Sequence, residues 1–177
     1  MPATYSMIML MFLTVVITVT VVFAIGKIGI KKKWDTSTLV RRQIIWLFIV
    51  YVFTLFVITV IARGKRNDDL IGLIPFGDIY YIIKNKYPWY FENLIILDMV
   101  NIALFVPLGI LAKEVMCGKK ILPVITGTAV SLTIEVIQLI TNKGVFDVND
   151  IMYNTIGTLI GCGIYALCKK LWIKKQT

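Results

Sequence analysis

The chain has 177 residues, of which 58% are hydrophobic and 16% charged, and it carries a formal net charge of +9 with no histidine. Its mean hydropathy is +0.83, so polar surface is too scarce to cover a soluble domain of this length. The lack of histidine removes the commonest general base and the usual zinc ligand.

Five apolar stretches follow one another along the chain, at about 7–25, 44–62, 94–112, 121–141 and 151–168. About 20 residues of helix cross roughly 30 Å of hydrocarbon. The first four stretches meet that length, and the fifth needs flanking residues to complete the crossing. The expected fold is an all-α polytopic membrane protein with about five transmembrane helices. It forms one membrane domain over 1–177, with two scaffold helices in 1–62, an outer interfacial loop in 63–93 and a three-helix core in 94–177.

No basic residue precedes the first apolar run; the first charge is Lys27, behind it. A secretory signal carries its charge in front, so this segment reads as a retained helix with its N-terminus outside. Loop charges agree. Lys27, Lys31, Lys32, Lys33, Arg41 and Arg42 lie between the first two spans, and Lys113, Lys119 and Lys120 between the third and fourth. Lys169, Lys170, Lys174 and Lys175 lie in the tail, which puts 13 of the 19 basic residues on one side. The positive-inside rule assigns that side to the cytoplasm, giving a cell-membrane protein with N-terminus out and C-terminus in. The positive charge then reads as contact with the lipid bilayer. Basic residues scattered over separate short loops do not make a nucleic-acid surface. Asp35 and Glu114 are the two acids on the inner side; the other eight lie outside or in the outer halves of the spans.

Within the outer loop, residues 70–83 read LIGLIPFGDIYYII, apolar but interrupted by Gly72, Pro75 and Gly77. Such a segment is expected to be interfacial or re-entrant rather than a straight span. Tyr80, Tyr81, Tyr87, Trp89, Tyr90 and Phe91 follow, a composition suited to a headgroup boundary. Two readings stay open: a plain aromatic belt, or a lid over polar groups with Asp78 or Arg66 facing them.

Three polar clusters interrupt the later spans: Asp98 with Asn101, Glu135 with Gln138, and Asp147, Asp150 and Asn154. An aspartate at the centre of a span costs roughly 2.5–3.5 kcal/mol on insertion scales. Spacings of three or four put each set on one helix face. Asp147 or Asn149 suits a helix cap, whereas Glu135 has no such role available. Pro107 is expected to kink the third span. Gly127 and Ser131 have the spacing of a close-packing pair, as do Gly157 and Gly161. The first pair continues to Glu135 and the second shares a stripe with Asn154, so packing the two stripes together would bring Glu135 near Asn154 and Asp150.

The segments NIALFVPLG, SLTIEVIQ and FDVNDIMYNTIGTLIG, with LIPF in the outer loop, together resemble the VanZ-like membrane proteins. The likeness runs from about Leu70 to the C-terminus. Family patterns often carry Asn where Gly72 stands, and Arg before the D-x-x-D segment, where Lys143 is the nearest basic residue. The resemblance implies a bacterial cytoplasmic-membrane protein, with some members linked to reduced susceptibility to glycopeptides such as teicoplanin. It adds Pro75 and Phe76 of the LIPF run to the candidate contact residues.

The three cysteines match no CxxC motif and read as free thiols, no metal site is assigned, and no cofactor is expected. Carboxylates carry whatever chemistry there is. Three readings remain open. The first is a factor acting at the outer leaflet on envelope lipid, a lipid-linked wall precursor or a glycopeptide, bound by Asp98, Asn101, Gln138, Asp147 and Asn154. The second is a small membrane enzyme using Glu135 and Asp150 as an acid/base pair on a headgroup. The third is a structural partner protein in which the polar groups only join helices, at about 0.6 kcal/mol per interaction.

Overall fold

A computed structural model describes residues 20, 21, 23–61, 71–75, 80, 84, 88–144 and 146–176, and for residues 71, 88–94 and 176 the backbone alone. Most of the first expected span, 7–25, therefore lies outside the described residues, as do Phe76, Asp78 and Arg66. Four helices among the described residues are long and apolar enough to cross a membrane. The all-α polytopic membrane fold is as expected.

Residues 23–31 form helix α1, and α2 follows at Thr36–Phe56. The basic stretch between the first two spans is therefore largely helical, with only residues 32–35 as a turn. Lys33 adopts a positive φ of 52°, and Trp34 N–H reaches Gly29 O at 2.9 Å, closing α1 as a Schellman turn. Asp35 then caps α2: its carboxylate accepts from Thr38 N–H at 3.1 Å and from the Ser37 hydroxyl. α2 thus starts eight residues before the apolar run and ends in a π-helical turn, Val57–Ile61.

Helix α3 spans Pro88–Val115 and continues unbroken through Pro107. Its end is another Schellman turn, with Cys117 at φ 54° and Gly118 N–H on Lys113 O at 2.8 Å. Helix α4, Leu122–Ile140, starts with a proline in its first turn, where the missing N–H costs nothing. It ends in the same way, with Asn142 at φ 53° and Lys143 N–H on Gln138 O at 3.0 Å. Helix α5, Val148–Gln176, is the longest among the described residues at 29 residues. The short fifth apolar run thus has the flanking residues it was expected to need: the helix begins before the run and continues into the basic tail.

α3 lies at the centre, packed closely on α5 and more lightly on α2, while α4 packs mainly on α5. The buried centre is Leu55 and Val60 of the α2 span, Phe105 and Leu108 of α3, and Ile134 of α4. The α3–α5 crossing is set by glycines. A Cβ on Gly157 would run into Ile102 O, one on Gly161 into Val106 O, and one on Gly109 into Thr158 O. Helix backbones are in contact there, the arrangement that drives association where lipid is as apolar as leucine. This corrects the expected stripe pairing: Gly157 and Gly161 face α3, whereas Gly127 of α4 meets the Thr158 side chain of α5.

Among the described residues one small sheet completes the fold. β1, Ile71–Gly72, pairs in parallel with β2, Phe146–Asp147, in the register Ile71 to Phe146 and Gly72 to Asp147. It ties the segment between α2 and α3 to the turn between α4 and α5. The bundle has two chemically distinct ends. The start of α2, the end of α3, the start of α4 and the end of α5 share the basic end. The other end of each helix meets at an acidic one.

Candidate functional site

Four elements supply the acidic end. Asn101 of α3 donates from Nδ2 to Asp150 Oδ1 of α5 at 2.6 Å. Glu135 of α4 accepts from the Asp147 backbone N–H at Oε2, 2.9 Å away. One turn deeper, Asn154 Nδ2 donates to Ser131 Oγ at 2.8 Å, joining α5 to α4. Gln138 Nε2 donates to Thr59 O of the π-helical turn at 2.9 Å. The π turn explains this last contact, since its changed hydrogen-bond register turns a carbonyl toward the neighbouring helix. Lys143 Nζ sits 3.4 Å from Ile61 O on the same turn.

Depth divides the cluster. Glu135 and Gln138 are each 1% exposed and Asn154 is 5% exposed, whereas Asp98, Asn101, Asp147 and Asp150 are half-buried. The four half-buried residues form the rim, with Asp98 one turn before Asn101 on α3. Below it, Gln138 Oε1 and Asn154 Oδ1 are buried and have no hydrogen-bond partner. The site is therefore rich in acceptors: carboxylates at the rim and orphan carbonyl oxygens beneath them.

Local sequence accounts for the shape of the rim. Asp147 accepts from Asn149 N–H at 2.8 Å, so its side chain caps the first turn of α5 while its own N–H goes to Glu135. Gly72 in β1 lies against the Asp147 carboxyl, and a Cβ there would be 3.3 Å from Cγ. The chain leaves β1 through Leu73, Ile74 and Pro75, all exposed; Leu73 is 63% and Ile74 73% accessible. An apolar tip thus stands beside the carboxylates. Tyr80 is exposed, with Lys84 Nζ 5.8 Å from its ring centre.

The structure joins Asn101 to Asp150, a pairing the sequence did not suggest, and Ser131 to Asn154, which lie on the two stripes expected to meet. Of the residues expected to act as an acid/base pair, Glu135 accepts from the Asp147 N–H and Asp150 accepts from Asn101. Among the described residues no three acidic or thiol side chains gather to hold a metal ion. The sequence reading missed the Thr59 carbonyl, the Thr128–Thr155 hydroxyl contact of 3.0 Å and the packing role of Thr158. Only Thr158 had a signal, lying four residues after Asn154 on the same stripe. The cysteines are free thiols: Cys117 and Cys168 are exposed, and Cys162 is buried with Sγ 3.6 Å from Gly109 O.

Glycine-locked membrane helices with a buried carboxylate and carboxamide network at one end define a small polytopic membrane protein built around that polar end. More particularly, the chain belongs to the VanZ/LLP1 family, whose model matches residues 43–169. The match begins inside α2 and runs through most of α5. Over 77 residues the chain is 35% identical to Protein VanZ of Enterococcus faecium, covering 43% of this chain and 48% of that protein. The match thus spans about half the length of that curated relative. No solved structure matches the chain.

Proposed function

We propose that this protein works at the outer leaflet of a bacterial cytoplasmic membrane. There its acidic end binds the polar head of an envelope lipid or lipid-linked wall precursor and lowers susceptibility to glycopeptides such as teicoplanin. The basic end then faces the cytoplasm, in keeping with the positive-inside rule. One observation carries the reading: acceptor groups from α3, α4 and α5 converge beside the exposed tip Leu73–Pro75.

The chemistry of the rim narrows the headgroup. Asp98, Asp147 and Asp150 repel a bare phosphate and accept hydrogen bonds from hydroxyl, amide and ammonium groups. A glycan or peptide head offers those donors, and the apolar tip suits the lipid part. Glu135, buried and bonded to the Asp147 backbone, holds the rim in shape rather than meeting the ligand.

The test is teicoplanin and vancomycin susceptibility in cells carrying wild type, Asp150→Asn or Asp98→Asn, with membrane levels of each variant measured. Wild type is expected to raise teicoplanin tolerance, and both folded variants to lose it. No effect of wild type, or full tolerance in both variants, rejects the proposal.

A further inference from the structure

The basic end of the bundle holds a groove that the proposed function does not use. α2 and α5 both pack on α3 and leave a wedge between their basic ends, an open groove of about 650 Å³. That volume is in the range of small-molecule sites. Val40 and Ile44 of α2 line its apolar side, with Val40 44% exposed, and the exposed Arg41 and Lys169 line it as well.

The charges within the groove are unevenly matched. Glu114 faces the Tyr165 hydroxyl, and Lys169 Nζ donates to that same hydroxyl at 3.1 Å. The one acid of the groove is therefore tied to Lys169 through Tyr165. Arg41 has no hydrogen bond or ion pair among the described residues, and its neighbour Arg42 is already stacked on Trp34 at 3.9 Å. Among the described residues the other acid at this end is Asp35, turned to Ser37 and Thr38 as the α2 cap.

We infer that this groove is a binding site for one anionic glycerophospholipid of the leaflet at the basic end. Its phosphodiester lies on Arg41 and Lys169, and the start of an acyl chain lies along Val40 and Ile44. A guanidinium takes two phosphate oxygens at once, and basic pockets between membrane helices suit acidic headgroups. The charge selects an anionic head, and the apolar wall selects a lipid over a soluble phosphate. The inference uses none of the residues of the acidic end.

The experiment is native mass spectrometry of the full chain in detergent, titrated separately with phosphatidylglycerol, phosphatidylcholine and inorganic phosphate. Wild type is expected to retain one phosphatidylglycerol in preference to phosphatidylcholine, with inorganic phosphate failing to displace it. Arg41→Ala with Lys169→Ala should weaken retention at least about tenfold, from two lost charges near the surface. Lys174→Ala with Lys175→Ala, beyond the groove, should change it less than about threefold. Val40→Phe fills the apolar wall without touching charge and should also weaken retention, so the inference stays testable if the charge variant does not fold. Equal loss in the tail variant, equal binding of phosphatidylcholine, displacement by inorganic phosphate, or full retention in Val40→Phe overturns it.

Discussion

Glu135 is nearly inaccessible, and its carboxylate accepts from the Asp147 backbone N–H. A carboxylate taking a main-chain N–H satisfies a donor that would otherwise be stranded at a helix start, where the first N–H groups have no partner within the helix. Asp35 works the same way at the basic end, but in water. Hydrogen bonds from the Ser37 hydroxyl, then from the Thr38 side chain and backbone, lower its carboxyl from 3.8 to about 2. A depressed carboxyl contributes stability above its unfolded value and loses it as pH falls through its folded one. The advantage of wild type over Asp35→Ala should therefore be full above about pH 4 and close as pH falls toward about 2. Thermal unfolding of both proteins in detergent across that window reads it; a gap unchanged at its acid end would mean Asp35 is not the cap in solution.

At the scale of helices, three glycines hold the bundle together and a fourth serves as their control. Gly157 and Gly161 press on α3 carbonyls, while a Cβ on Gly163, on the same helix, would meet nothing within 4 Å. Backbone contacts cannot yield as a flexible side chain can, so Gly157→Ala and Gly161→Ala should each cost about 1–3 kcal/mol. Gly163→Ala should be neutral or stabilise by up to about 1 kcal/mol through helix propensity. Denaturant unfolding in mixed micelles separates these, and equal effects at all three positions would refute the crossing. The sequence showed the spans and the polar faces, because hydropathy and i, i+3 spacing act within one helix. It did not show which helix each glycine pair would face, since spacing defines a face and not its partner. The π turn at Val57–Ile61, the two-residue ladder at Gly72 and Asp147, and the left-handed closures at Lys33 and Cys117 have no propensity signature. The π turn and the ladder are engaged by contacts between elements far apart in sequence, whereas the two closures are made by local i to i−5 bonds at helix ends.

The molecule as a whole is an electrical dipole built from loops. Thirteen basic residues and two acids, Asp35 and Glu114, gather at one end, while Asp98, Glu135, Asp147 and Asp150 lie at the other. Reversed insertion would carry most of the positive charge across the membrane, which the positive-inside rule opposes. Orientation is testable with one native and one introduced thiol. Cys117 is exposed in the turn between α3 and α4 and needs no mutation. At the acidic end Gly144 is a poor choice, because a Cβ there would stand 2.8 Å from the buried Gln138 Oε1. Thr141 is exposed, and its hydroxyl bonds only within its own helix, to Ile137 O at 2.7 Å and Gln138 O at 3.4 Å. In a chain lacking Cys162 and Cys168, an impermeant maleimide should label Thr141→Cys in intact cells and reach Cys117 only after the membrane is opened. The reverse pattern would put the carboxylate rim in the cytoplasm and end the outer-leaflet reading. It would leave the lipid groove in place, moved to the opposite leaflet.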